Sequence, residues 1–98
     1  MATYIVLANF TDQGARNVKD TTKRAALVKE AAKTYGIEMK DIYWTLGMYD
    51  VVVTFEAPDD ESMTALGLTL AAAGNVRTQT LKAFSMAEMN AIIGKAGL

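Results

Sequence analysis

The chain contains no cysteine and no histidine. Their absence excludes disulfides, thiol nucleophiles, zinc sites of the Cys/His kind and imidazole acid–base catalysis. It also lacks a surplus of either charge: Lys and Arg number 10, Asp and Glu 11, for a formal net charge of −1. A partner recognised mainly by its phosphates, such as nucleic acid, is therefore not expected. Its one proline, Pro58, leaves glycine as the main punctuation between elements. No apolar run is long enough to span a bilayer, and Met1-Ala2-Thr3-Tyr4-Ile5-Val6 has no basic segment ahead of its apolar residues. These features point to a cytoplasmic protein with no membrane partner.

What is present suits a single domain over residues 1–98, with hydrophobic residues making up 51% of the chain. Thr3 to Phe10 is almost continuously apolar and β-prone, which predicts a central strand buried on both faces. Thr11 to Lys19 is polar and includes Gly14. It reads as a connection longer than the usual loop of about two to six residues, and such loops are often functional. From about Asp20 to Tyr35, Leu27, Val28, Ala31, Ala32 and Tyr35 recur on one helical face, and Gly36 supplies a stop.

Tyr43 to Glu56 is the most informative stretch, because two β-branched and aromatic runs flank a break containing Gly47 and Asp50. That pattern predicts a β-hairpin, with one strand within Ile37 to Leu46, starting near Lys40, and the next over Asp50 to Ala57. After Pro58, the acidic run Asp59-Asp60-Glu61 complements the positive end of a helix dipole. Met63, Leu66, Leu70 and Ala73 then keep helical spacing up to Gly74. Asn75 to Phe84 reads as a more polar edge strand. Ser85 and Glu88 have the spacing of a capping box, with Phe84 and Met89 as its hydrophobic staple, so a short last helix is expected from Met86.

The order βαββαβ plus a C-terminal helix gives an α+β fold. With right-handed crossovers, its simplest arrangement is an antiparallel sheet in the order 4-1-3-2 with both main helices on one face, the ferredoxin-like plan; a sheet divided by a different crossover is the alternative. In that plan Tyr4, Val6, Ala8 and Phe10 point to one face of the sheet, and Ile5 and Leu7 to the other. A second copy packing sheet on sheet would cover the helix-free face and form a dimeric α/β barrel. The alternative is a monomer with an apolar patch.

Gly47-Met48-Tyr49-Asp50 resembles the Gly-x-Tyr-Asp signature of the GYD domain family. The likeness extends in order through Tyr4-Ile5-Val6-Leu7, Phe10-Thr11-Asp12-Gln13-Gly14, Tyr43-Trp44-Thr45-Leu46, Glu56-Ala57-Pro58-Asp59-Asp60 and Gly74 to Leu81. It covers about Thr3 to Glu88, and the ordered set is far more specific than the tripeptide. The resemblance implies a small ferredoxin-like domain of the dimeric barrel kind. It implies no reaction, since the broader group includes oxygenases, isomerases and effector-binding modules.

The topology places Thr11 to Asn17, Gly47 to Asp50 and Gly74 to Thr78 at one end of the sheet, a rim where a ligand site is expected. Candidate ligand-binding residues are Asn9, Arg16, Arg24, Tyr43, Tyr49, Asp50 and Arg77. Arg77, in a strand, needs a carboxylate or a bound anion, and a salt bridge with Asp50 is its structural alternative. Arg16, Lys19, Lys23 and Arg24 gather around the N-terminal end of the first helix, where they oppose its dipole unless an anion binds; a solvated face is the plainer explanation. Tyr43, Trp44 and Phe55 suit an apolar pocket, a core or an interface.

The leading expectation is a homo-oligomeric domain that binds a small ligand, an anion among the candidates, without cofactor or metal. A cofactor-free isomerase or oxygenase using Asp50 or Tyr49 for proton transfer and Arg77 for an oxyanion is the second reading. A structural or assembly role is the third.

Overall fold

A computed structural model describes residues 1–98. The elements run β1 (Ala2–Phe10), α1 (Asp12–Arg16), a 3-10 turn (Val18–Asp20), α2 (Thr21–Lys33), β2 (Glu38–Trp44), β3 (Val51–Ala57), α3 (Asp60–Ala73), β4 (Val76–Ala83) and α4 (Met86–Ala96). The strands form one antiparallel sheet in the order β2-β3-β1-β4, the same arrangement as 4-1-3-2. This is the ferredoxin-like α+β fold with a short C-terminal helix.

β1 is central, paired with β3 on one side and β4 on the other. Tyr4, Val6 and Ala8 are buried on the helix side with Val51, Val53 and Phe55 of β3. Ala32 of α2 and Met63 and Leu66 of α3 close over them. Ile5 pairs with Thr54 and Leu81, and Leu7 with Val52 and Gln79, on the opposite face, which no helix covers.

Local sequence chemistry explains the element ends. Asp59 caps α3 by accepting from the Ser62 amide at 2.7 Å, and Gly74, at φ 81°, ends that helix in the left-handed region that glycine tolerates. Ser85 and Glu88 form the reciprocal capping box, and α4 begins at Met86 as the spacing predicts. α4 nevertheless buries none of its residues. It leaves Phe84, Met86, Met89 and Ile93 exposed. The radius of gyration, 14.8 Å, exceeds the roughly 13 Å of a typical chain of this length, in keeping with a helix that projects from the body.

Two local expectations change. Thr11 to Lys19 is not an open connection but α1 and a 3-10 turn, because Thr11 caps α1 through the Gly14 amide at 3.1 Å. That segment is then pinned to the end of α3: the Thr11 hydroxyl donates to the Gly74 carbonyl at 2.6 Å and the Thr11 amide to the Asn75 carbonyl at 3.1 Å. Gly14 makes the approach feasible, since a Cβ there would lie 2.0 Å from the Asn75 carbonyl oxygen. Arg16 correspondingly lies in the last turn of α1, where a cation complements the helix dipole rather than opposing it. Leu27 is the second change. It is 69% exposed although it shares the apolar face of α2, and it lines a hollow between that helix and the sheet.

Candidate functional site

The hollow is a chamber of about 340 Å³ between α2, the C-terminal half of α3 and the sheet. Val6, Val53, Phe55 and Met39 contribute to its sheet side, Val28 and Leu70 to its helix side. Its lining is apolar except for Thr21, Arg24, Asn75 and Thr78. Thr21 and Arg24 stand on the first turn of α2, and Asn75 and Thr78 at the start of β4. The polar groups therefore gather at the end of the sheet where β1 and β2 finish and β3 and β4 begin.

That end is built by hydrogen bonds that run between elements. The Trp44 indole Nε1 donates to the Thr21 Oγ1 at 3.0 Å, tying the end of β2 to the start of α2. Arg24 Nη1 donates to the Asn17 carbonyl at 2.8 Å, which orients the guanidinium. Its Nη2 is enclosed and has no hydrogen-bond partner among the protein groups. No carboxylate forms an ion pair with Arg24; the salt bridges are Lys33–Glu30, Lys40 with Glu38 and Glu56, and Lys82–Asp60.

The seven sequence candidates do not form one cluster; they divide between the two faces of the sheet. Arg24 borders the chamber. Asn9 and Arg77 are register partners on the open face, where Tyr43 is also displayed. Tyr49 reaches across that face, its hydroxyl donating to Gln79 Oε1 at 3.1 Å. Arg16 is exposed on α1.

Asp50 joins the hairpin to the end of β1. Its Oδ2 accepts from the Phe10 amide at 2.9 Å, and its own amide donates to the Ala8 carbonyl at 2.9 Å. It makes no ion pair with Arg77. The Gly-x-Tyr-Asp turn thus uses both polar residues structurally: the aspartate extends the β1 ladder and the tyrosine braces β4. Gly47 takes φ 122°, outside the range comfortable for other residues.

Sequence reasoning missed a second cluster at the far end of the sheet. The Tyr4 hydroxyl donates to Asp60 Oδ1, and Lys82 Nζ lies 3.1 Å from the same oxygen. The bond to Asp60 and burial push the Tyr4 phenol up to about 12, while the same bond and Lys82 hold the Asp60 carboxyl below its usual value. Tyr4 and Lys82 are cross-strand partners, but only the fold brings Asp60 to them. The group fastens the start of α3 to β1 and β4. Ser62 lowers Asp59 in the same turn, and the Ser85 amide lowers Glu88.

The chain contains no group of three or more acidic side chains placed to hold a metal ion, and no helix long and apolar enough to cross a membrane.

Solved structures share this fold. FFRP-DM1 superposes with a TM-score of 0.61 at 20% identity, over 86% of this chain and 100% of that one. The hypothetical protein PHS023 from Pyrococcus horikoshii gives 0.57 at 20% identity, over 87% and 92% of the two chains. TTHA0845 from Thermus thermophilus gives 0.54 at 25%, over 87% and 95%. By sequence, the chain is 36% identical over 90 residues to the glutamine synthetase and cystathionine beta-lyase binding protein of Thermus thermophilus, covering 91% of this chain and 95% of that protein. The GYD domain pattern matches residues 4–93, nearly the whole chain. With its Gly-x-Tyr-Asp hairpin in place at the end of β1, this chain belongs to the GYD domain family.

Proposed function

We propose that this single-domain protein is a homodimeric binding module that holds a small, largely apolar molecule in the chamber between α2, α3 and the sheet. The observation that carries the reading is the chamber itself. It falls at the lower end of the range of about 300–1,000 Å³ for small-molecule sites, and its apolar walls carry a few polar groups at one end. A packed core of this size would ordinarily leave few voids larger than a water molecule.

The dimer reading rests on the helix-free face, where Ile5, Leu7, Val52 and Leu81 lie near Tyr43 and Tyr49. A second copy packed there would have to cover about 800 Å² on each partner to form a stable interface.

The chamber reading is tested by thermal unfolding in the presence of decanol below its solubility limit, with emission from Trp44, the chain's one tryptophan and a chamber residue. A saturable rise in the melting temperature with altered Trp44 emission is expected. Ala25→Phe, which places a ring in the chamber, should remove both effects. A wild-type protein that responds to no such molecule would count against the reading.

A second reading is favoured by the 36% identical relative, whose name describes a protein that binds two enzymes. On that reading the module acts through protein partners. Co-elution with purified glutamine synthetase or cystathionine β-lyase on gel filtration would support it, and separate elution of all three would oppose it.

A further inference from the structure

We propose that Arg24 makes the chamber selective for amphiphilic carboxylates, with the carboxylate at Arg24 and the apolar body running toward Phe55 and Met39. The inference rests on the chamber being a ligand site, and it adds the chemical class of the ligand. Three observations converge on it. Arg24 lines the apolar space, and its Nη1 is committed to the Asn17 carbonyl at 2.8 Å, so the group is held rather than free to swing into solvent. Its Nη2 is shut away from solvent without a protein acceptor. No acidic side chain forms an ion pair with it, although the protein carries 11 acidic residues.

A guanidinium held at an apolar wall without a carboxylate partner is costly to keep, whereas a ligand carboxylate would balance its charge. The remaining lining selects the rest of the ligand. Beyond Thr21, Asn75, Thr78 and the Trp44 indole, which is bonded to Thr21, the walls offer no hydrogen-bonding side chain, so a second charged or strongly polar group deeper in the molecule would be stranded. The site therefore suits one acidic head on an apolar body, rather than a sugar, a zwitterion or a dianion.

The test compares decanoate with decanol, each below its aggregation limit, by calorimetric titration and Trp44 emission on the wild-type protein. Decanoate should bind roughly tenfold or more tightly, the difference expected of a charge-assisted hydrogen bond. Arg24→Gln should erase that preference, and Arg24→Lys should retain part of it. Because the preference is read first on the wild type, the result does not depend on a variant folding. Equal binding of the two molecules by the wild type, or a preference that survives in Arg24→Gln, would overturn the carboxylate assignment and leave the chamber standing. Binding of neither would overturn the chamber reading with it.

Discussion

The two faces of the sheet carry similar residues to different ends. On the helix side, Tyr4, Val6, Ala8, Val53 and Phe55 are buried within the chain itself, and the chamber opens beneath α2. On the open side, Ile5, Leu7, Val52 and Leu81 alternate with them along the same strands but have no cover from the chain's helices. The alternation of side chains along a strand makes this division unavoidable once both helices fall on one face. One face stores the stability of the single chain; the other stores what association would add. α4 belongs with the open side in this respect, since it also buries nothing in its own chain.

The strongest way to break the contrast is to empty the helix side. Phe55 is 1% exposed, and Phe55→Ala should cost about 3–5 kcal/mol at any protein concentration, read from chemical denaturation. An effect under about 1 kcal/mol would show that the chamber relaxes to absorb the loss. Leu7→Lys probes the open side. The proposed dimer should dissociate in sedimentation at micromolar concentration while the monomer keeps its far-UV spectrum. Wild type that is already monomeric there would end the dimer reading.

Ser85→Ala removes the α4 cap, at about 1 kcal/mol. An 11-residue helix without tertiary burial is marginal by itself, so the loss should appear as faster amide exchange within α4 rather than a lower global midpoint. A fall in the global midpoint would mean that α4 is coupled to the body, as through a partner.

The Tyr4–Asp60–Lys82 cluster predicts pH dependence at both extremes. The Tyr4 phenol is raised from 10.0 to about 12, so its contribution is intact below pH 10 and lost as pH rises from 10 to 12, where the unfolded chain ionises first. The Asp60 carboxyl is lowered from 3.8, so its contribution is present above that value and lost as pH falls through the lower, folded-state value. Tyr4→Phe should flatten the alkaline limb of a melting-temperature profile. An unchanged limb would assign the alkaline loss to other groups.

The smallest effect is expected at Arg77, which makes no ion pair on the open face. Arg77→Met should change stability by less than about 0.5 kcal/mol in the monomer. A large loss would reveal a partner for the guanidinium that the single chain does not supply.

Much of the architecture was legible in the sequence because its signals are local. Gly36 and Gly74 mark helix ends, the Ser85–Glu88 spacing marks a cap, and the apolar run of β1 marks a central strand. The candidate site was legible only in part. Arg24 and the aromatic Trp44 drew attention, but nothing in their spacing says that they flank a chamber with Leu70 from another helix. Asn9, Tyr43, Tyr49 and Arg77 drew equal attention and lie on the other face. Asp60 gave no sign of Tyr4, which lies 56 positions away along the chain.

The sequence by itself determined the elements, their order, the two-faced character of β1 and the membership of the family, because propensity, capping and periodicity act over a few residues. Only the tertiary structure decided that Leu27 lines a chamber and stays exposed, that Gly14 admits the Asn75 carbonyl, and that Arg24 is left with an enclosed, unpartnered nitrogen. Those outcomes depend on how rigid elements meet across the sheet, and the distances between their side chains are set by that packing rather than by any local pattern.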